Sequence, residues 1–543
     1  MKRFKLFLAM AALACAIGLT VKYGSTYRPV VEPVREIEEI WALEDAREES
    51  EEPLVTRLFC NGIPMAYDAE NNVFYGSLGL ENGAQWPEIK LTASEETAKG
   101  LSLCFADDYG FDDCDAAIRE GYSYQIFAYS DTAYSYAEVV FTGLPLVNVT
   151  ADQTIEREDV PAQIEIALAA EGLQTNGRIH KRGGASILND KVGYKLEFTR
   201  TTDGKKKIYR EIPGMGTDSQ VILLPMNALD TTMMRDRLSW ALYARLTRRD
   251  EPFSARKTQY CELFLNGEYR GVYLMLEPFS VRQEVAKAGE ERLTTDSVYR
   301  TAVISLSHGR PCMEDPYSAA TGFELYYPMD GEPDFSPLAD YFALLGETDD
   351  ADFMRRAAQI IDLDSALRYD VVLQLFGLTD NVINNMYTWA QNSRGHTRYR
   401  FDFWDLDVSW GLKRDEIGEM HENWVFFPLV DRLLRADEEG GVRKRYGEIY
   451  REVREKAFDT ETVEALVGQY AHELNDSGAM ARNADRWETE NYAADGYELV
   501  AFAAERIALL DEPVRAMSAG EEIDLRFLEK TNYDDKGTPL TEE

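Results

Sequence analysis

The sequence has 543 residues, enough for roughly three domains of ordinary size. Apolar residues make up 45% and charged residues 28%, a globular composition that excludes collagen, low-complexity chains and membrane proteins of many spans. The net charge of −38 repels a phosphate backbone and argues against a general nucleic-acid binder. A site for one nucleotide stays compatible with this charge, because a metal ion and a few basic side chains offset the field locally.

The N-terminal segment predicts export. Basic residues in Met1–Lys5 precede a short apolar run at 6–21, a pattern typical of a secretory signal or a signal-anchor. We assign 1–25 to a signal peptide or membrane anchor; a lipid anchor at Cys15 and a buried helix of a cytosolic protein are the alternatives. Because positive charge stays on the cytoplasmic side, the rest is expected to be extracytoplasmic, secreted or anchored to the bacterial membrane.

An acidic linker and a β-rich region follow. Residues 26–53 are predicted to form a solvated stalk, linker or helix, since 32–52 hold ten acids and two bases. Residues 54–155 alternate apolar and polar positions between turn signals, which predicts a small all-β sandwich, with YSYQIFAYSD and YAEVVFTGLPLVNVT as its strongest strands. Cys104 and Cys114 are expected to be able to pair if the chain is exported. The Asp-rich loop around them is an exposed acidic loop or, alternatively, a calcium site, with Asp107, Asp108, Asp112, Asp113 and Asp115.

From about residue 160 the pattern becomes mixed α+β. Strands are predicted at 163–169 and 194–200, and a hairpin at 260–277 that turns at Asn266-Gly267. A helix is predicted from Thr231 to Arg245, with Asp230 as its N-cap and as an ion-pair partner of Arg235. Beyond 365 the chain is predicted to be mainly helical, with a strand pair around 387–404. No GxxxxGK[ST], HExxH, GxSxG or CxxC occurs, so a P-loop NTPase, a zincin, an α/β-hydrolase and a zinc ribbon have no support.

The most informative stretch is 377–411. Asp380 follows an apolar helical pattern, Asn385 stands five residues later, and Asp405 and Asp407 end an aromatic strand. A carboxylate beside an amide, then two carboxylates on a later strand end, is what a divalent-metal phosphoryl-transfer site requires. Protein kinases use an Asp, an Asn five residues on and a later metal-binding Asp. On spacing alone, turn or cap roles for Asp380 and Asn385 remain open.

Two further segments have features of a nucleotide site. At 180–198 a loop with glycines leads into a strand with lysines, and bare amides with an ammonium can cradle phosphates; a hairpin with solvent-exposed lysines is the alternative. The hairpin at 260–277 ends in Glu277, as the strand leaving a kinase small lobe ends near the adenine, although alone it is an ordinary buried hairpin.

Five strings in this order resemble the spore-coat CotH-type kinase family over roughly 160–515: RGGAS…DKVGYKLEF, LPMNALDTTMMRDRL, ELFLNGEYRGVYLMLE, TDNVINNMY and FWDLDVSWG. The resemblance implies an atypical protein kinase with a reduced small lobe and an ATP site, in a family whose exported members phosphorylate Ser on proteins. We therefore expect an α+β fold: a two-lobed kinase-like domain at 160–515, preceded by the sandwich and the apolar anchor or signal, and followed by an acidic tail at 516–543.

The resemblance also implies residue roles. Asp380 would orient or receive the proton of the acceptor hydroxyl, while Asn385 and Asp405, with Asp407 as a further candidate, would hold Mg²⁺. Lys191 or Lys195 would contact the phosphates, with Lys191 favoured. Glu277 would lie near the adenine. The phosphate loop would be lined by Arg182, Gly183 and Ser186. Gly184 and Ala185 stand where the family more often has Asn-Ser or Asn-Thr, and Glu197 and Asp236 are the only candidates for an acidic partner of the lysine.

The predicted function is an ATP- and Mg²⁺-dependent protein kinase, secreted or membrane-tethered, that phosphorylates Ser of a surface or coat protein. No nucleic-acid partner is expected, and the oligomeric state stays open. One alternative is a surface binding or adhesion protein with an inactive kinase-like domain. The other is a carbohydrate-active hydrolase with Asp380 and Asp405 as paired carboxylates and an aromatic sugar platform drawn from Trp389, Trp404 and Trp410.

Overall fold

The structure of the chain is a computed structural model. The residues it describes are 30–32, 35–85, 89–94, 100–106, 113–183, 185–226, 230–246, 255–279, 296–302, 323–328, 334–347, 349–393, 396–412, 424–425, 427–489, 494–521, 532–533 and 539–540. The predicted signal or anchor at 1–25, most of the tail at 516–543, and Asp107, Asp108, Asp112 and Gly184 lie outside them. Within the described ranges, no helix combines the length and apolarity needed to cross a bilayer.

The fold is mixed α+β and divides into two compact units, each assembled from segments that are distant in sequence. Unit 1 comprises Met1–Pro225, Tyr260–Met275 and Glu473–Tyr492, and unit 2 comprises Met226–Gln259, Leu276–His472 and Ala493–Glu543. The β-rich region at 54–155 clusters with the strands that follow it, so both belong to unit 1.

The first part of unit 1 consists of two antiparallel-rich sheets that share one apolar core. The larger sheet has β1 (Glu48–Glu49), β4 (Ala66–Asp68), β5 (Val73–Ser77), β7 (Ser102–Phe105), β8 (Ser123–Tyr129) and β9 (Ala133–Thr142). The smaller sheet has β2 (Leu58–Cys60), β3 (Ile63–Pro64) and β6 (Leu91–Ala93), and the helices are α1 (Ile37–Asp45) and α2 (Cys114–Arg119). Alternate residues of β8 (Tyr124, Ile126 and Ala128) face the shared core, as the period of two along a strand requires.

Cys104 and Cys114, which the sequence suggested could pair, are both free thiols and lie in different apolar clusters. Cys114 belongs to the core shared by the two sheets, whereas Cys104 packs with Ile40 of α1 and Phe127. Successive residues of β7 point to opposite faces, so the neighbours of Cys104 enter the shared core and Cys104 itself points away from it. Burial raises the pKa of Cys104 to about 11, which keeps this thiol protonated at neutral pH.

The second part of unit 1 is a closed barrel of seven strands. In barrel order these are β10 (Leu146–Thr150), β11 (Val160–Leu168), β12 (Glu171–Arg182), β13 (Gly193–Thr199), β16 (Gln220–Leu224), β18 (Glu268–Leu276) and β17 (Thr258–Leu265). β10 closes the barrel by pairing in parallel with β17. A separate hairpin is formed by β14 (Arg210–Ile212) and β15 (Gly216–Asp218), and α11 (Ala479–Arg486) also lies in unit 1.

The strand predictions for this region are confirmed with one difference. β11, β13 and the β17–β18 hairpin lie where strands were expected, and Asn266 and Gly267 both have positive φ, as a type I′ turn requires. The run YAEVVFTGLPLVNVT, however, is two strands, because β9 belongs to the larger sheet and β10 to the barrel. The chain leaves the first strand at Gly143, where a Cβ would collide with Leu80.

Unit 2 combines a four-stranded sheet with helices. The sheet order is β20 (Phe323–Tyr327), β19 (Ser297–Ala302), β21 (Asn384–Ser393) and β22 (His396–Phe403), with β23 (Asn532–Tyr533) and β24 (Pro539–Leu540) as a separate pair. The helices are α3 (Arg235–Ala244), α4 (Ala339–Leu345), α5 (Asp350–Ile360), α6 (Leu363–Phe376), α7 (Asp380–Ile383), α8 (Pro428–Arg435), α9 (Gly441–Lys456), α10 (Thr460–Asp476) and α12 (Tyr497–Ser518). The predicted helical region and strand pair are confirmed.

The helix predicted from Thr231 begins four residues later, at Arg235. Asp230 accepts hydrogen bonds from the backbone of Thr232 (3.2 Å) and of Arg235 (3.1 Å), and Met233 has a φ of +56°, outside the helical region. Asp230 thus stabilises a turn that precedes the helix, and it is not the residue immediately before the first helical turn. The predicted ion pair between Asp230 and Arg235 is confirmed, with both side chains buried.

Two carboxyl groups lie deep among the helices of unit 2. Asp370 on α6 accepts a hydrogen bond from the Tyr446 hydroxyl (2.7 Å), and Asp431 on α8 accepts one from the Trp424 indole (2.8 Å). Burial raises the pKa of Asp370 to about 7. Burial and the neighbouring Asp370 carboxyl also raise the pKa of Asp431 well above its ordinary value. Each carboxyl therefore retains a proton in the folded protein at pH values where the unfolded chain has released it.

This pair predicts a pH-dependent stability. Because the folded protein binds more protons than the unfolded chain, the free energy of unfolding should fall as pH rises from about 4 towards 7. Asp431→Asn removes one of the two charges, so we expect it to raise the free energy of unfolding at pH 8 by about 1–3 kcal/mol and to leave it nearly unchanged near pH 4. Urea denaturation across this pH range measures the effect. Asp364→Asn, on the exposed side of α6, should keep the wild-type pH slope; an unaltered slope in Asp431→Asn would contradict the assignment.

Candidate active site

The end of helix α6 determines where Asp380 lies. Asp362 caps the start of the helix by accepting a hydrogen bond from the Ser365 amide (3.2 Å), and Gly377 ends it in the left-handed conformation with a φ of +66°. Three residues later, Asp380 begins the short helix α7, and its side chain is almost fully buried. The apolar helix and its glycine stop therefore fix the position from which the carboxylate projects.

Asp380 is held by two asparagines. The Asn385 amide donates to Oδ2 of Asp380 at 2.8 Å, and the Asn384 amide donates to Oδ1 at 3.2 Å. The five-residue spacing noticed in the sequence thus corresponds to a direct hydrogen bond. Because the Nδ2 of Asn385 is committed to Asp380, its Oδ1 is the atom that can bind a cation.

The β21–β22 ladder brings Asp405 beside Asn385. The two strands pair with Met386 opposite Phe403, and the ladder continues through a hydrogen bond from the Trp404 amide to the Asn385 carbonyl (2.9 Å). Asn385 and Asp405 both have a φ of +57°. Asn and Asp tolerate this left-handed conformation best among residues with a Cβ, and such residues concentrate at functional sites.

Asn381 stabilises the contact between Asn385 and Trp404. Its side-chain amide donates to the Trp404 carbonyl (2.7 Å) and to the Asn385 carbonyl (3.3 Å). Of the sequence-predicted residues, Asp380, Asn385 and Asp405 are therefore brought together. Asp407 lies in the next turn, where its backbone carbonyl accepts from the Ser409 amide (3.1 Å), and its side chain is half-buried.

A further carboxylate reaches this region from helix α3. Asp236, in the first turn of that helix, is buried, and the Leu406 amide is hydrogen-bonded to its carboxyl. Burial, followed by the field of the Asp405 carboxylate, raises the pKa of Asp236 to about 8. The sequence suggests Asp236 only as a candidate partner of a lysine. The signal that could have found it is an acidic residue at the start of a helix that is otherwise buried.

The donor set matches a hard divalent cation. Among the described residues, no three His, Cys, Asp or Glu side chains form a group able to hold a metal. Mg²⁺ does not need such a group, because it is usually bound by one or two carboxylates and completes its shell with water and phosphate oxygens. Asp405 and the Asn385 amide oxygen are ligands of the required kind.

The two lysine candidates in unit 1 have different surroundings. Lys191 is half-buried, and its ammonium donates to the Val272 carbonyl (2.7 Å) and to Oδ1 of Asn483 (2.9 Å). It also lies 5.0 Å from the centre of the Tyr273 ring. Burial lowers the pKa of Lys191 to about 7. Both acceptors are uncharged groups of unit 1, so these two hydrogen bonds stabilise the fold of that unit.

Lys195 lies on the outer face of the barrel. It is opposite His180 on β12, and the adjacent residues Tyr194 and Leu196 point into the barrel core. Burial and then the neighbouring Lys207 lower the pKa of Lys195, and Arg182 acts in the same direction. The carboxylates of Glu197 and Asp159 act in the opposite direction, so this face carries charges of both signs. Glu197, the other suggested acidic partner, bonds Arg178 and lies 3.3 Å from Lys207.

The glycine loop is tightly folded around Gly183. Gly183 has a φ of +131°, and a Cβ there would collide with the Ser186 hydroxyl, so only glycine is compatible with this loop. Ser186 belongs to a short 3₁₀ turn, Ala185–Leu188. In unit 2, Glu277 follows β18 and closes a backbone pair with Lys257: its amide donates to the Lys257 carbonyl (2.9 Å), and its carboxylate accepts from the Lys257 amide (3.2 Å).

The aromatic residues proposed as a sugar platform are core residues. Trp389 and Trp410 are each about 1% exposed, and Trp404 is 5% exposed. Trp410 stacks on Phe376 and Phe458 inside unit 2. A sugar platform requires an open aromatic face, so these three residues give the hydrolase alternative no support.

Comparison with known proteins identifies the family of the chain. The family model described as CotH kinase protein matches residues 179–510, which is more than half of the chain and includes every candidate site residue. No curated protein matches the sequence. The match confirms the resemblance expected from the five sequence strings, and the chain belongs to the CotH kinase family.

Proposed function

We propose that this protein is an atypical protein kinase that transfers the γ-phosphate of ATP to a Ser hydroxyl of a protein acceptor. The observation that carries the proposal is the hydrogen-bonded set Asp380–Asn385 beside Asp405, within a chain that belongs to a kinase family. Mg²⁺, bound by Asp405 and Asn385, would offset the charge that develops on the phosphate oxygens.

Asp380 is the proposed acceptor-orienting residue. In the reaction, the Ser oxygen forms a bond to the γ-phosphorus while the bond to the bridging oxygen of ADP breaks, and the hydroxyl proton passes to the Asp380 carboxylate. The hydrogen bonds from Asn384 and Asn385 hold that carboxylate in one orientation before the acceptor arrives. Burial of Asp380 keeps competing water away from the reacting hydroxyl.

Phosphate charge is proposed to be met by Lys195 and Arg182, with the Gly183–Ser186 loop supplying neutral donors. Lys191, which the sequence favoured, already donates to two protein acceptors, so we assign it mainly to the barrel. Glu277 is retained as the residue proposed near the adenine. These roles rest on the family resemblance and on the local surroundings of each side chain.

The two lysines can be separated experimentally. Lys195→Met should raise the KM for ATP by about 10–100-fold, because a charge-assisted contact to phosphate is removed. Lys191→Met should instead lower the free energy of unfolding by about 1–3 kcal/mol, because the Val272 carbonyl and the Asn483 side-chain carbonyl lose the donor of two partly buried hydrogen bonds. Steady-state kinetics and urea denaturation of both variants provide the measurement. Nucleotide affinity lost only in Lys191→Met, with stability unchanged, would reverse the two roles.

The proposed activity has a direct test. Purified protein is incubated with Mg²⁺ and ATP labelled at the γ-phosphate, with a Ser-rich acceptor, and incorporation is measured on the acceptor and on the protein itself. Thermal unfolding with and without Mg²⁺-ATP is measured in parallel. Label on Ser together with a nucleotide-dependent rise in Tm is the expected result.

A second candidate function is a surface binding or adhesion protein whose kinase-like domain is inactive. The commitment of Lys191 to internal acceptors favours it, as does the β-rich first part of unit 1. It predicts neither label transfer nor a Tm shift with Mg²⁺-ATP. Such a negative result in folded protein would replace the kinase proposal with this one.

Export is proposed from the sequence of residues 1–25, as a signal peptide or as an anchor in the bacterial membrane. The acceptor would then be a Ser-containing surface or coat protein. Fractionation of cells that express the full chain tests this proposal, with recovery in the cytosolic fraction as the contrary outcome.

A further inference from the structure

Asp236 presents a buried oxygen that no group in the described part of the chain satisfies. Its side chain is 3% exposed, and among the described residues its Oδ1 has no hydrogen-bond partner. A buried polar atom without a partner costs free energy, so its presence indicates either a strained site or a missing ligand. The Leu406 amide engages the carboxyl and fixes it just beyond the end of β22, in the segment that contains Asp405.

The charges around Asp236 point to a cation as that ligand. The charged groups whose fields act most strongly on it are Asp405 and Asp230, both of them acids. The arginines adjacent in sequence have other contacts. Arg235 binds Asp230, Glu498 and the Ser409 carbonyl, and Arg237 lies over the Tyr470 ring at 4.4 Å. Asp405 acts on Asp236 as a like charge, and two carboxylates in such a site repel each other unless a positive charge lies between them.

We propose that Asp236 is a third cation-holding residue, acting with Asp405 and the Asn385 amide oxygen. The inference rests on the proposed function and extends it, because the spacing that identifies Asp380, Asn385 and Asp405 gives no role to helix α3. Two carboxylates and one amide oxygen leave half of an octahedral shell for water and phosphate, as Mg²⁺ requires.

The role of the helix follows from its contacts. The backbone of α3 begins at Arg235, whose amide is held by Asp230 and whose guanidinium reaches Ser409, beyond the Asp405–Asp407 turn. Helix α3 is therefore tied to the segment after the turn through Arg235, next to Asp236. This tie limits how far the two carboxylates can separate, and a cation site needs a fixed separation for its affinity.

The test is cation binding by the whole chain, measured with Mn²⁺ by calorimetry and with Mg²⁺ by thermal shift, without and with a non-hydrolysable ATP analogue. Asp236→Asn is expected to weaken Mn²⁺ binding by about 10–100-fold and to abolish the Mg²⁺-dependent rise in Tm. In the absence of cation its Tm should equal or exceed that of the wild type, because an amide avoids the cost of burying a carboxyl near Asp405. Asp431→Asn removes an equally buried carboxyl elsewhere in unit 2 and should bind Mn²⁺ as the wild type does.

A second variant tests the assignment by a change of metal preference. In Asp236→Cys the site should gain affinity for Cd²⁺ relative to Mg²⁺ by at least about tenfold, because a thiolate prefers the softer ion. Normal Mn²⁺ binding in Asp236→Asn, or an unchanged Cd²⁺ preference in Asp236→Cys, overturns the inference about Asp236. The proposed function stands in that case if Asp405→Asn loses cation binding. Absence of cation binding in the wild type overturns both.

Discussion

Asp380→Asn is expected to lower the rate of phosphoryl transfer by about 10²–10⁴-fold while the protein remains folded and binds Mg²⁺-ATP. The substitution removes the proton acceptor and the negative charge but keeps the shape of the side chain. Its carbonyl oxygen can still accept the hydrogen bond that the Asn385 amide now donates. The KM for ATP and the nucleotide-dependent Tm shift should therefore change little. Single-turnover label transfer measures the chemical step free of product release.

The control for this variant is Asp364→Asn. Asp364 lies in the first turn of α6, is partly exposed and pairs with Arg445, so its loss removes one charge from the same region without reaching the site. It should transfer label at the wild-type rate. Transfer at that rate by Asp380→Asn would show that Asp380 is a turn residue and would remove it from the mechanism.

Local sequence patterns predicted the part of the site that is built from neighbouring elements. Asp380, Asn385 and Asp405 meet because one helix stop and one β-hairpin follow each other along the chain, and both are encoded by nearby residues such as Gly377. The role of Asn266-Gly267 as a hairpin turn was predictable for the same reason.

Contacts between distant segments were not predictable in this way. The partner of Lys191 is Asn483, 292 residues further along the chain, and no periodicity relates the two. The approach of Asp236 to Asp405 similarly depends on how helix α3 packs against the end of β22. The position of Cys104 depends on which face of β7 it occupies, which its spacing from Cys114 does not reveal.

The segment Glu473–Tyr492 supplies the strongest example, because it returns to unit 1 and buries an ion pair there. Arg482 on α11 donates to both oxygens of Glu262 on β17, at 3.0 and 2.8 Å, and the Tyr269 hydroxyl donates to the same carboxylate at 2.6 Å. Glu262 is completely buried. Although burial opposes ionisation, the Arg482 charge and these hydrogen bonds hold the pKa of Glu262 below its ordinary value.

Breaking the Arg482–Glu262 ion pair should lower the free energy of unfolding more than any of the other proposed substitutions. Glu262→Gln leaves the Arg482 guanidinium buried without its counter-charge, and we expect the free energy of unfolding to fall by about 3–5 kcal/mol. Urea denaturation of the full chain measures it. Glu268→Gln, in the same hairpin, breaks an exposed pair with Arg486 and should cost less than about 1 kcal/mol.

A double variant distinguishes a charge effect from a packing effect. In Glu262→Met with Arg482→Met, both charges are replaced by apolar side chains of similar length, so no buried ion is left unpaired. We expect this variant to recover most of the stability that Glu262→Gln loses. If the double variant is as unstable as the single one, Glu262 must stabilise the protein through its packing in the barrel wall and the hydrogen bond it accepts from Tyr269. The ion pair would then not be what attaches the segment Glu473–Tyr492 to the rest of unit 1.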